Sequence, residues 1–283
     1  MEIFEIFKTV LTDTICHSCD SPTYQEIKCI ARKAIVNTYG ESGTNVARFP
    51  GIGNIRIPFF SMGNVDSTNL FDLDELIIFA MYLKSKGVYK RCLDIGSNLG
   101  LHSIVMSKLG MKVTAYEPDP LHYGQLLDNL KINGSLDAVC PCPIAVSSNS
   151  GKAEFTRVLG NTTGSHLTGS KKGAYGALDF FEVNVSAINE ILGDTDFIKL
   201  DAEGEERNIL CSIPTEHWNR LDVIAEVGNT ENAQCIYEYL SETGVNIFSQ
   251  RKYWDQVKTP KDMPRSYRDG SIFITRKSSM PWF

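Results

Sequence analysis

Arg91-Cys92-Leu93-Asp94-Ile95-Gly96-Ser97-Asn98-Leu99-Gly100-Leu101-His102 is the stretch from which the fold is read. A short apolar strand runs into a turn with two glycines, and a helix follows with Leu101, Ile104, Val105 and Leu109 on one face, closed by Gly110. The next strand is Lys112 to Tyr116. Asp119 then offers a helix cap with Pro120 at the first helical position. Tyr123, Leu126, Leu127 and Leu130 give that helix its apolar face, and Gly134 closes it. A third strand is expected over 138–145, a fourth over Phe197–Leu200 and a fifth over Val223–Val227. Ser186 is expected to cap a short helix ending at Gly193, and a helix over 231–243 stops at Gly244. Strands alternating with amphipathic helices argue for an α/β domain on a mainly parallel sheet. Two last strands, near 245–250 and 271–275, have no helix between them and are expected to pair antiparallel.

Upstream the pattern differs. Helices are expected over 2–15, 22–38 and 72–86, with a Gly- and Pro-containing stretch of short β-type runs such as Ile55–Phe60 before the third. The chain is therefore read as a mainly helical extension over 1–88, a cap or an oligomerisation element, followed by an α/β domain over 89–283.

The 283 residues are 42% apolar and 22% charged, which excludes a disordered or low-complexity chain. The net charge of −6 speaks against a generic polyanion binder. The longest apolar run, Leu76 to Leu83, falls well short of the roughly 18–20 residues of a membrane span. The start, Met1-Glu2-Ile3-Phe4-Glu5, has no secretory pattern, so a cytoplasmic location is expected. Eight cysteines include Cys16-His17-Ser18-Cys19 and Cys140-Pro141-Cys142, but no second pair at zinc spacing, and they read as reduced thiols.

Three places carry chemistry. Asp94 to Gly100 is D-x-G-x-x-x-G at a strand-to-helix turn, where glycines let backbone approach a ligand and the acid favours positive charge. Glu117, 17 residues after Gly100, ends the next strand, where a carboxylate accepts two ribose hydroxyls. A nucleoside ligand without phosphates follows, which fits S-adenosylmethionine. In Ile198-Lys199-Leu200-Asp201-Ala202-Glu203-Gly204-Glu205-Glu206, strand alternation puts Lys199 and Asp201 on one face, and a Lys inside a buried strand needs a carboxylate partner.

These residues resemble the class I S-adenosylmethionine-dependent methyltransferases, and among them the FkbM family, over about 90–275. The cofactor turn, Glu117-Pro118, Asn133-Gly134, Ala145-Val146-Ser147, Gly151 to Phe155, the loop Gly160 to Leu167 and the hallmark Ile198 to Glu206 carry the resemblance. The chain departs from the pattern at Ala202 and Glu205, and Ile213-Pro214 ends the following helix early. The resemblance implies a Rossmann-like, doubly wound seven-stranded sheet with the last strand inserted antiparallel, and methyl transfer, usually to an oxygen of a small molecule or sugar.

The expected cofactor contacts are Asp94, Gly96, Asn98, Gly100, Glu117, Pro118 and Ala145. A hydroxyl acceptor must lose its proton as the new bond forms, and Glu203, Asp201 and His102 are the candidates, Glu203 ahead of Asp201 because Lys199 claims the latter. Lys199, Asn161, His166 and Glu226 are the acceptor-side candidates. Asp201, Glu226 and Asn229 have the hard oxygens of a divalent metal site, though none is expected. Four other readings compete. A nicotinamide enzyme would need a different glycine spacing, and an exocyclic-amine methyltransferase would show [DN]-P-P-[YF] in place of Asp201-Ala202-Glu203-Gly204. An RNA methyltransferase would use the segment 251–268, with six cations, two acids and interleaved aromatics. A non-catalytic cofactor-binding scaffold would be expected to have lost these acids.

Overall fold

The computed structural model describes residues 1–62, 65–159, 161–171 and 176–280. The helices are α1 (Ile3–Thr12), α2 (Pro22–Tyr39), α3 (Leu73–Lys84), α4 (Leu101–Lys108), α5 (Pro120–Ile132), α6 (Ile188–Ile191), α7 (Glu206–Leu210) and α8 (Thr230–Thr243). Four short strands precede the α/β part: β1 (Val46–Phe49), β2 (Gly53–Arg56), β3 (Ser61–Met62) and β4 (Val65–Asp66), paired as two hairpins. Then come β5 (Arg91–Ile95), β6 (Lys112–Tyr116), β7 (Val139–Cys142), β8 (Ala145–Ser147), β9 (Gly151–Val158), β10 (His166–Leu167) and β11 (Leu178–Ala187). The last five are β12 (Phe197–Leu200), β13 (Asp222–Glu226), β14 (Asn246–Ser249), β15 (Asp255–Gln256) and β16 (Ser271–Thr275).

The central sheet has the order β15-β14-β16-β13-β12-β5-β6-β7. Strands β7, β6, β5, β12 and β13 are parallel, and β16 lies antiparallel between β13 and β14. This is the expected doubly wound sheet with its last strand inserted antiparallel, widened by the two-residue β15. A second sheet, β10-β9-β11-β8, stands beside it.

Alternation divides the core. Leu93, Ile95, Ile198, Leu200, Val223 and Ala225 point to one face and pack under α7 and α8. Cys92, Val113, Phe197 and Ile224 point to the other, where α4 and α5 share one apolar cluster with α1, α2 and α3. The N-terminal helices therefore cover a sheet face. Helix α3 is set by a capping box in which the Asp72 carboxylate takes backbone N–H groups while Glu75 Oε2 accepts from Asp72 N at 2.8 Å.

Several boundaries differ from expectation. The first helix stops at Thr12 because Asp13 accepts from Ile15 N at 2.9 Å and starts a separate 3₁₀ turn, Thr14–His17. The single third strand becomes two in different sheets, since Pro141 and Pro143 remove ladder donors and only an edge position tolerates them. Ser186 pairs with Val146 inside β11, and α6 starts after Ala187 with no side-chain cap. Leu127 is 36% exposed; the buried stripe of α5 is His122, Leu126, Asn129 and Leu130. Helix α7 is only five residues long, consistent with an early stop before Pro214. Among the described residues no helix is long and apolar enough to cross a membrane.

Candidate active site

Parallel strands end at a common edge, and here the ladder continues past that edge. Register sets Lys199 opposite Asp94 and Leu200 opposite Ile95. Beyond the strands, Asp201 N donates to Ile95 O at 3.0 Å, Ser97 N to Tyr116 O at 3.0 Å and Glu117 N to Cys142 O at 3.0 Å. The four loops leaving β5, β6, β7 and β12 are thereby locked side by side around an open cleft of about 1190 Å³.

One half of the cleft is built by the β5–α4 turn and the end of β6. Gly96 has φ +75°, and a Cβ on it would stand 1.7 Å from Asp201 O. Gly100 has φ +82°, and its Cβ would meet Leu126 at 2.3 Å; it lets α5 close on the turn and does not itself line the cleft. Asn98 donates its N–H to Glu117 Oε2 at 2.8 Å, and Asp119 N donates to Oε1 at 2.9 Å, so both Glu117 oxygens are aimed. Gly96, Asn98, Glu117, Pro118 and Ala145 all line the cleft. Ser97 Oγ, also in its wall, is buried without a hydrogen-bond partner among the described residues. Asp94 lies behind the wall, fully buried, taking Ser103 Oγ at 2.6 Å and facing Lys199 at 3.9 Å. It braces the first turn of α4 and makes no surface for a ligand. Arg157, which sequence reasoning missed, grips Asp119 with Nε at 2.7 Å and Nη2 at 2.6 Å, tying the second sheet to this loop.

Burial pushes the Glu117 carboxyl up to about 8 against the pull of the two N–H groups. Between the ordinary 4.5 and 8 the folded protein holds a proton that the unfolded chain has released, so stability falls as pH rises through that window, by at most about 1.4 kcal/mol per pH unit from this group. Glu117→Gln is expected to flatten the slope and to weaken S-adenosylhomocysteine binding together. Urea unfolding at several pH values and calorimetry check both, and a variant with the wild-type slope would remove the assignment.

The other half belongs to β12, β13 and α3. Lys199 Nζ lies 3.2 Å from Asp201 Oδ2 and 3.2 Å from Gly96 O. Burial alone would lower its ammonium, but Asp201, Asp94 and Glu226 outweigh burial and hold it above the usual range. Glu206 collects Ala202 N at 2.9 Å and Gly204 N at 2.9 Å, folding the Asp201–Glu206 turn tightly and leaving Glu203 at a left-handed φ of +48°. Glu203 lines the cleft and forms an ion pair with Lys171. Burial, then the nearby Asp201, pushes its carboxyl up to about 8, and Lys171 pulls the other way. Glu205 accepts from Ser147 Oγ at 2.5 Å, Asn208 Nδ2 at 3.1 Å and Ser170 Oγ. Glu226 and Glu75 complete this wall, each held well above the usual carboxylate range by burial and neighbouring acids. Glu75 and Asn69 reach the cleft from the N-terminal segment, and sequence reasoning missed both.

His166 donates Nδ1–H to Gly164 O at 2.8 Å and lines the cleft. Thr163 donates to Asn161 Oδ1 at 2.6 Å; Asn161 closes this turn and does not line the cleft. Gly160, the first residue of that loop, lies outside the described residues. His102 lines the cleft with Nδ1 3.0 Å from Tyr82 Oη, and burial keeps it neutral far below its usual range. Asn229 accepts from Asn232 N at 2.8 Å as the cap of α8, apart from Asp201 and Glu226. Among the described residues no three His, Cys, Asp or Glu side chains are grouped to hold a metal. All eight cysteines are free thiols.

In the 251–268 segment Arg251 pairs with Asp20 at 3.1 Å, Lys252 with Asp262 at 3.9 Å and Arg265 with Asp269 at 2.9 Å. Trp254 is buried and donates to His17 Nδ1 at 3.0 Å. Trp254 and half of the segment's six cations are thus engaged within the protein.

A family model described as the methyltransferase FkbM domain matches residues 94–243. Methyltransferase sdnD of Sordaria araneosa is 24% identical over 248 residues, which take in 68% of this chain and 95% of that protein. The solved methyltransferase FkbM of Methylobacillus flagellatus KT aligns over 71% of this chain and 54% of its own, with 12% identity and a TM-score of 0.42. An O-methyltransferase from Bacillus cereus in complex with SAH aligns over 71% and 77%, with 13% identity and a TM-score of 0.36. The matched domain spans more than half of the 283 residues and begins at the β5 turn that opens the cleft, and the chain belongs to the FkbM methyltransferase domain family of S-adenosylmethionine-dependent methyltransferases.

Proposed function

We propose that the chain methylates a hydroxyl group of a small molecule or sugar. The observation that carries the reading is Glu203: a carboxyl on a left-handed turn in the cleft wall, next to Asp201, with its proton affinity raised to about 8. A hydroxyl oxygen attacking carbon must give up its proton, and a base tuned near the working pH takes it most efficiently.

The residues present fit the cofactor. Glu117, with both oxygens oriented by backbone N–H groups, suits two ribose hydroxyls. Gly96 lets the β5 turn lie against the Asp201 carbonyl, and Ser97 Oγ, without a partner among the described residues, is a polar group awaiting a contact. When bound, S-adenosylmethionine supplies an electrophilic methyl on its sulfonium. The protein's share is alignment of the acceptor, exclusion of water and removal of the proton. Glu203 is the base, Asp201 is held by Lys199 and shapes the turn, and His166, Lys199 and Glu226 face the acceptor.

The pairing of Arg251, Lys252 and Arg265 with acids favours a small acceptor over RNA. To test the reading, the protein is incubated with ¹³C-methyl-labelled S-adenosylmethionine and a low-molecular-weight metabolite extract, and the product is read by carbon NMR. Label in a methoxy group is expected. Label in an N-methyl group, or only in added RNA, overturns it.

A further inference from the structure

We propose that Tyr82 is a positioning residue that makes His102 a hydrogen-bond donor toward the methyl acceptor. The phenol gives its O–H to Nδ1, so the imidazole carries its own hydrogen on Nε2, where it faces the cleft. This rests on the cleft being the methyl-transfer site and assigns a new task to a residue from the N-terminal helices.

The geometry leaves little choice of tautomer. Tyr82 Oη and His102 Nδ1 are 3.0 Å apart, and both side chains are buried. Burial and the nearby Asp94 keep the phenol protonated, and burial with Lys199 keeps the imidazole neutral. Among the described residues Tyr82 Oη makes no other hydrogen bond. If Nδ1 carried the hydrogen, the phenol hydrogen would be left buried without an acceptor. Donation from phenol to Nδ1 spends both groups and places the remaining ring hydrogen on Nε2.

The ring is also fixed in place. Phe79 stands edge-on to it at 5.3 Å and Tyr82 at 5.8 Å, and Phe197 packs edge-on to Tyr82 at 5.7 Å. Its surroundings come from α3 and from Lys199 on β12, whereas the ribose-binding carboxylate Glu117 lies at the end of β6. His102 is 8% exposed, lines the cleft, and its Nε2 has no hydrogen-bond partner among the described residues. An oxygen of the acceptor is the group this N–H is built to meet. The same tautomer removes His102 from the candidates for the base, because its only lone pair on nitrogen is covered by Tyr82.

The charged and titratable groups around the pair are Lys199 on β12, Asp94 and Cys92 on β5 and Glu75 on α3. The test uses the full chain labelled with ¹⁵N-histidine. Long-range proton–nitrogen correlation should show His102 with bare Nδ1 and protonated Nε2 in the wild type, and Tyr82→Phe should shift the ring toward the other tautomer. With labelled S-adenosylmethionine and the metabolite extract, His102→Leu should slow methoxy formation about 10–100-fold, while His102→Gln, whose carboxamide N–H replaces the donor, should stay within about tenfold of wild type. S-adenosylhomocysteine affinity should hold within about twofold in both, since the lost bond is to the acceptor. A wild-type ring protonated at Nδ1 overturns the proposal, even if Tyr82→Phe fails to fold. So does a His102→Gln variant as slow as His102→Leu, or a cofactor affinity that falls with the rate. If the tautomer is as stated but label enters an amine, the reading of the acceptor has failed and the Tyr82–His102 assignment stands.

Discussion

Gly96→Ala is expected to abolish S-adenosylhomocysteine binding. Two costs fall on one methyl group. A left-handed residue with a Cβ is strained by about 1–2 kcal/mol, and at Gly96 that Cβ would also lie 1.7 Å from the carbonyl oxygen of Asp201. That oxygen is backbone, one residue past β12, and Asp201 N is already bonded to Ile95 O at 3.0 Å. To admit the methyl, the ends of β5 and β12 must part, and the two halves of the cleft separate with them. Gly110→Ala is the control: its φ is +93°, yet nothing stands within 4 Å of its Cβ. It should lose about 1–2 kcal/mol of stability and keep its affinity. Calorimetry and thermal melting compare the two, and equal affinities would show that the β5–β12 junction is not what shapes the site.

The second large effect is on chemistry. Glu203→Gln should lower the methyl-transfer rate about 10²–10⁴-fold with cofactor affinity nearly intact. A base with a carboxyl at about 8 works only when deprotonated, so the wild-type rate should climb with pH and level off above that value. Lys171 draws the value down through its ion pair, so Lys171→Met should move the rising limb to higher pH. Glu203→Gln should lose the limb altogether. Single-turnover rates against pH decide the matter. Wild-type rates with an unchanged profile in Glu203→Gln would pass the proton step to another group in the wall, with His166 next in line.

The sheet was legible because its signals are local. An apolar run, a glycine turn and a helix starting at Asp119-Pro120 each reflect backbone preferences of a few residues. Alternation sufficed to foresee the Lys199–Asp201 pair, found at 3.2 Å. What stayed hidden was set by long-range packing. Asp94 read as a ligand contact, but its neighbour across the register is Lys199, the side chain is fully buried, and one of its oxygens takes Ser103 Oγ in the first turn of α4. Asp119 read as a helix cap with no hint of Arg157, 38 residues on in another sheet. Glu75 carried no signal in the sequence at all, because what brings it to the cleft is the docking of α3 on the sheet. The 251–268 run was ambiguous because a list of cations does not show which acids fold against them.

Glu205 stands where the family's pattern differs in this chain, and its bonds have a mechanical meaning. One carboxylate joins Ser147 at the end of β8, Ser170 beyond β10 and Asn208 in α7. Arg157 on β9 grips Asp119 at a second place. Two fastenings define a line, so a motion that opens the cleft while keeping both sets of bonds must turn the second sheet about the line from Glu205 to Asp119, as a door turns on two hinges.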